Sequence, residues 1–162
     1  MPLHKKDLKL TLPGLTDGLV RAIGHIITQW AYFEANIDEE LRQLGADVAI
    51  LKSSTKRRLT AWRDLSLQAY GVNAKHAKWV HKIYGTATRI KRSRDAASHG
   101  QWAYGGKSRT ALFHRRYGQI IRIDDKLNAT REMEQVVRSL SEMNATHFWL
   151  QDETLNIREP PR

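Results

Sequence analysis

The chain has 162 residues, 27 of them Lys or Arg and 17 Asp or Glu, with 41% hydrophobic residues and no cysteine. That length suits one domain around one hydrophobic core. The absent cysteines exclude a disulfide scaffold, a thiolate nucleophile and a zinc–thiolate site, and they fit a reducing, cytoplasmic setting. A net charge of +10 with a pI near 10.1 favours polyanionic partners, and no apolar run approaches the length of a signal sequence or a membrane span.

The first 15 residues, within "MPLHKKDLKLTLPG" and its continuation, read as a basic tail. After a turn over 13–18, with Thr16 or Asp17 as cap, the residues Leu19, Ile23, Ile26, Ile27, Trp30, Ile37, Leu41 and Leu44 recur at helical spacing. They predict a long first helix over 18–44, closed by Gly45. A second helix is expected with Ser53 or Ser54 as cap, a stripe of Leu59, Trp62, Leu65 and Ala69, and Gly71 as terminator. Asn73 can cap a third, whose stripe of Val80, Ile83, Ala87, Ile90, Arg94 and Ala97 runs to Gly100 and places Arg94 on the buried side.

Beyond Gly100 the segments "QWAYGG", "RTALFHRRY" and "QIIRID" are short, rich in β-branched and aromatic residues, and separated by turns. They predict a small antiparallel β hairpin or meander inserted over 101–125. Met133, Val136, Val137, Leu140, Met143, His147 and Phe148 then restore helical periodicity over 128–150, and the polar ending 151–162, with Pro160 and Pro161, reads as a non-helical tail. The expected fold is therefore mainly α, a bundle of about four long helices with a β insertion before the last one. The whole chain forms a single domain in this reading, with the core helices over 18–100.

Chemistry concentrates where the third helix ends. Asp95 and His99 are four residues apart, so their side chains can meet on the helix surface. The helix C-terminus and the Asp95 carboxylate would both favour imidazolium at His99. An imidazole near neutrality suits proton transfer, and the nearby Arg94 guanidinium suits a phosphate and the charge that develops on it. Those are parts of a metal-independent ribonuclease, in which the RNA 2′-hydroxyl supplies the nucleophile. Glu34 shares the apolar register of Trp30, Ile37 and Leu41, where an unpaired carboxylate would be costly. It is expected to approach Arg94 and orient it.

The string Arg94, Asp95, three residues, His99 and Gly100 resembles the R-[polar]-x3-H motif of HEPN domains, helical proteins that include many RNases of toxin–antitoxin, abortive-infection and CRISPR systems. The context is similar as well: "WAYFEANID" in the first helix, a basic second helix, and "HGQW" after the motif resemble an uncharacterised bacterial and phage branch of that family. The resemblance covers about 18–102. It implies an all-helical core and a homodimer whose motif helices face each other around one composite site. Arg94 and His99 take the places of the family's Arg and His, and Asp95 stands where Asn is the commonest residue.

The implied activity is a cofactor-independent endoribonuclease leaving a 2′,3′-cyclic phosphate, in a toxin–antitoxin or phage-defence setting with an antitoxin or other partner protein. The competing expectation is a noncatalytic HEPN-like module that binds nucleic acid or protein, with Arg94 and His99 serving a helix interface. Either way the basic residues Lys56, Arg57, Arg58, Lys75, Lys78, Lys82, Lys91, Arg92 and Arg115 are candidates for flanking a groove and contacting RNA phosphates. Trp79, Trp102 and Tyr104 are expected in the core first, and are otherwise available for base stacking. The histidines show no metal-ligand spacing, so no metal is assigned, and His147 reads as a hydrogen-bonded core histidine.

Overall fold

A 27-residue helix, α1 (Asp17–Gln43), forms the spine against which the other helices pack. The computed structural model describes the backbone of residues 17–99, 101–105, 109–114, 119–123 and 126–158, and the side chains of 17–95, 98 and 130–152. The expected tail over 1–15 lies outside the described residues. Along α1 the buried positions are Leu19, Ala22, Ile26, Trp30, Phe33, Ile37 and Leu41. Their three-and-four spacing gives one apolar stripe, and each large side chain buried along it contributes about 1.5–3 kcal/mol. Ile27, expected on this stripe, is 44% exposed, and Phe33 fills the core instead.

The helix ends where Gly45 adopts φ +77, a left-handed conformation that a Cβ would penalise. Ala46 N donates to Leu41 O at 2.8 Å and Gly45 N to Arg42 O at 3.1 Å, the pair of bonds that closes a Schellman turn. A single helical turn follows, α2 (Val48–Leu51), with Asp47 accepting from Ala49 N. One turn has no periodicity to read, which is why the sequence did not announce it.

The third helix, α3 (Thr55–Tyr70), starts at Ser54, whose side chain accepts from Arg57 N. Leu59 and Trp62 are buried, Leu65 is half-buried and Ala69 is exposed. Asn73 then caps α4 (Ala74–His99), its Oδ1 accepting from Lys75 N at 3.0 Å and His76 N at 3.2 Å. Val80, Ile83, Ala87 and Ile90 are buried on one face of α4, and Thr60 and Tyr84 pair their hydroxyls at 3.3 Å across α3 and α4.

Between the helices lie three short strands, β1 (Gln101–Gly105), β2 (Arg109–His114) and β3 (Gln119–Ile123), paired antiparallel in the order β1-β2-β3. Trp102 pairs with Leu112 and Ala111 with Arg122 in that register. Outside these strands the described residues are mainly helical.

The last helix, α5 (Lys126–Arg158), runs past the boundary at 150 where the sequence reading placed a non-helical tail. The reason is local. A proline restricts itself and the residue before it, so Pro160 and Pro161 place no restriction on residues 151–158, and the polar residues there tolerate a helix. Its buried positions are Met133, Leu140, Met143, His147 and Leu150, whereas Phe148, expected among them, is 64% exposed.

The core residue His147 has a partner. Its Nε2 lies 2.7 Å from Glu40 Oε1, and its ring packs edge-on against Phe33 and Trp62 with centroids 5.5 and 5.6 Å away. Glu40 also accepts from Trp62 Nε1 and from Gln151 Nε2, the latter at 2.7 Å. Burial pushes the Glu40 carboxyl up, but His147, Trp62 and Gln151 together outweigh it and hold the group below its ordinary value of 4.5. One carboxylate thus ties α1, α3 and α5 together.

Two measurements check these assignments. Gly85 lies in α4 with nothing near its missing Cβ, so Gly85→Ala should raise stability in urea by about 0.5–1 kcal/mol, whereas Gly45→Ala should lower it by about 1 kcal/mol. The Glu40 contribution is present above its unfolded value of 4.5 and is lost as pH falls through its lower folded value. Urea midpoints measured between pH 6 and pH 3 should therefore fall more steeply for the natural chain than for Glu40→Gln.

Candidate functional site

The site forms where α1, α3 and α4 converge, and its centre is Glu34. The α1 periodicity puts Glu34 beside the buried Trp30–Ile37 line rather than on the outer surface, and its side chain is 22% exposed. Each carboxylate oxygen meets a different helix. Oε2 accepts from Arg94 Nη2 of α4 at 3.1 Å, and Oε1 accepts from Arg58 Nη2 at 3.2 Å and Thr55 Oγ1 at 2.6 Å, both of α3. The contact between Glu34 and Arg94 that the sequence reading expected is present.

The chain of charges continues in both directions. Arg58 Nη1 donates to Asp38 Oδ1 at 2.6 Å, one turn along α1 from Glu34. Arg94 Nη1 donates to Asp95 Oδ1 at 2.9 Å, and Lys91 Nζ pairs with the other oxygen of Asp95. Three acids, Asp38, Glu34 and Asp95, therefore alternate with Arg58, Arg94 and Lys91. The sum of these charges is zero.

Arg94 is further fixed by the core, its guanidinium carbon 5.2 Å from the centroid of the Trp30 ring. Its side chain is only 16% exposed. Its Nε and that of Arg58 are buried and have no hydrogen-bond partner among the described residues, which costs about 1–3 kcal/mol for each. That cost and the partial desolvation of six charges offset the attraction within the ion pairs, so the network adds little net stability. Its effect is geometric: it fixes where α3 and α4 stand relative to α1, and where Arg94 stands on α4.

The structure sorts the candidate residues. Glu34, Arg94 and Asp95 come together. His99 is the last residue of α4, one helical turn beyond Asp95, and its side chain lies outside the described residues, as does the expected meeting of the two. Arg58 and Lys91, expected to contact phosphates, are instead bound in the network, because both sit on helix flanks that turn toward acids rather than toward solvent. Lys56 and Arg57 are exposed on the first turn of α3, and Lys75, Lys78, Lys82 and Arg92 are exposed on α4. Arg115 lies outside the described residues.

Trp79 is half-buried against the core with the Lys75 ammonium 5.3 Å from its ring centroid, so core packing and a cation already engage the ring. Trp102 and Tyr104 stand on β1, and their side chains are outside the described set. Thr55 and Asp38 were missed by the sequence reading. A signal existed for Asp38, which follows Glu34 by four residues on the same flank, and for Arg58, which precedes Trp62 by four and so continues the α3 stripe. Among the described residues no group of His, Asp and Glu is placed to hold a metal ion, and no helix is long and apolar enough to cross a membrane.

No family model, curated protein or solved structure matches the chain.

Removing Glu34 takes a carboxylate from two partly buried guanidinium groups at once, leaving Arg58 only Asp38 and Arg94 only Asp95. Glu34→Ala should cost about 2–4 kcal/mol in chemical denaturation, while Asp38→Ala, which leaves Arg58 its bond to Glu34, should cost less than half as much. Equal losses for the two variants would contradict the central place of Glu34.

Proposed function

We propose that the protein is a HEPN-like endoribonuclease whose cleavage centre lies at the C-terminal end of α4. The observation that carries this reading is the fixed position of Arg94: two carboxylates and the Trp30 ring hold the guanidinium of this residue, five positions before His99 on α4. Preorganised charge of this kind stabilises a transition state without reorganising during the reaction. The motif resemblance supplies the remaining parts.

In the proposed reaction the RNA 2′-hydroxyl loses its proton to His99 and its oxygen attacks the adjacent phosphorus. The bond from phosphorus to the 5′-oxygen breaks, that oxygen takes up a proton, and a 2′,3′-cyclic phosphate remains. Arg94 would face the extra negative charge on the phosphoryl oxygens. Two copies with their α4 ends facing each other would form one composite site, and a partner such as an antitoxin would act by covering it.

A second reading has its own support. Both terminal nitrogens of Arg94 already donate to carboxylates, Glu34 and Asp95, so a phosphate must compete with charges the protein itself supplies. On that reading the chain is a noncatalytic HEPN-like module, and the network serves only to hold the helices.

The two readings separate in one experiment. RNA incubated in EDTA with the natural protein should be cut to products with cyclic phosphate ends, and His99→Ala should lower the rate by at least about a hundredfold while RNA affinity changes little. Mass in solution should correspond to a dimer. RNA binding without turnover by the natural protein would leave the module, and an undiminished rate in His99→Ala would remove His99 from the mechanism.

A further inference from the structure

The outward face of α4 carries a line of cations that the cleavage site does not use. Lys75, Lys78, Lys82, Arg89 and Arg92 are all exposed, and with Gly85 they follow one another at intervals of alternating three and four residues. Such a series keeps to one side of a helix, here opposite the buried Val80, Ile83, Ala87 and Ile90. From Lys75 to Arg92 the line is about 25 Å long, at a rise of about 1.5 Å for each residue. From Lys78 to Arg92 its charge is uncompensated among the described residues. The only acid of α4 is Asp95, already engaged by Lys91 and Arg94, and among the described residues Lys78, Lys82, Arg89 and Arg92 enter no ion pair.

We propose that this face of α4 is a binding surface for the phosphate backbone of double-stranded nucleic acid. The inference goes beyond the cleavage reading and does not depend on it. A rigid rod of about 25 Å exceeds the roughly 12 Å width of a duplex groove, so its cations reach phosphates on both strands at once. A duplex offers those phosphates in a fixed array, whereas a single strand must be ordered along the rod at an entropic cost. The aromatic platform that holds single strands is also missing from this line. Trp79, the tryptophan of α4, packs against the core, and the remaining positions of the outer face are charged, small or polar. Insertion into a membrane surface would need apolar side chains beside the cations, and Val80, Ile83, Ala87 and Ile90 of α4 are buried in the bundle.

Gly85 gives a test that misfolding cannot mimic. It occupies the one uncharged step of the series, with nothing within 4 Å of the Cβ position, so Gly85→Lys adds a cation in register. Binding of labelled 20-base-pair duplexes, one of RNA and one of DNA, is followed by fluorescence anisotropy in EDTA over a range of salt concentrations, beside the corresponding single strands and poly-glutamate. Gly85→Lys should tighten duplex binding about three- to tenfold and steepen the slope of log affinity against log salt by about 1, while Ala145→Lys on exposed α5 should do neither.

Reversing Lys78, Lys82 and Arg89 to Glu should weaken duplex binding by on the order of a hundredfold. The same change at the exposed Arg21, Arg131 and Arg138 should have a much smaller effect, with circular dichroism confirming the fold of both variants. The relative affinity of the RNA and DNA duplexes identifies which duplex the surface prefers. Equal losses in the two triple variants, no gain from Gly85→Lys, or tighter binding of single strands or poly-glutamate than of either duplex would overturn the proposal. Duplex DNA has no 2′-hydroxyl to attack, so its binding is read independently of any cleavage.

Discussion

One carboxylate serves two arginines from two helices, and the arrangement of the bundle follows from that sharing. Glu34 has two oxygens and divides them, one to Arg58 of α3 and one to Arg94 of α4. Neither guanidinium can be moved without uncovering a partly buried charge, so the two helices are located with respect to α1 and through it to each other. Apolar packing alone tolerates sliding, because hydrophobic attraction has no direction. Hydrogen bonds from a planar fork do, and they specify a register.

The same helix carries a second carboxylate with a different task. Glu40 follows Glu34 by six residues, which rotates it by about 120° around the axis to the opposite side of the buried stripe. There it meets His147 and Gln151 of α5 and the indole of Trp62. Between them the two acids tie α1 to every long helix, Glu34 to α3 and α4, and Glu40 to α3 and α5. The apolar stripe provides the driving force for collapse, and the acids on its flanks decide which surfaces meet. The functional consequence falls on Arg94, whose position at the end of α4 derives from this second kind of constraint.

The helical elements were legible because their periodicity is strong and their boundaries are chemical: Gly45, Ser54 and Asn73 each do what their residue types favour. Glu34 and Arg94 were legible as a pair because each was a charge in an apolar register, and two misplaced opposite charges have few other places to go. The errors came from neighbours that periodicity treats as equivalent. Ile27 and Phe33 are both compatible with the α1 stripe, and only the position of α5 selects Phe33, whose ring stacks edge-on to His147. Arg58 was read as solvent-facing because a sequence shows a charge but not the acid on another helix that will meet it, whereas the Lys91–Asp95 pair, four residues apart on α4, was open to reading and was passed over. The far end of α5 was lost to a rule about proline that acts over one or two residues and was applied over ten.

Glu34 couples Arg58 to Arg94, two residues 36 positions apart in the chain that share no direct bond. A double-mutant cycle measures that coupling directly, with Arg58→Ala, Arg94→Ala and the double variant unfolded in urea at pH 7. Sharing predicts that the second truncation costs at least about 1 kcal/mol less or more than the first, because each arginine alters the charge left on Glu34 for the other. Additivity within about 0.3 kcal/mol would mean that the two arginines act separately, and that Glu34 does not link them.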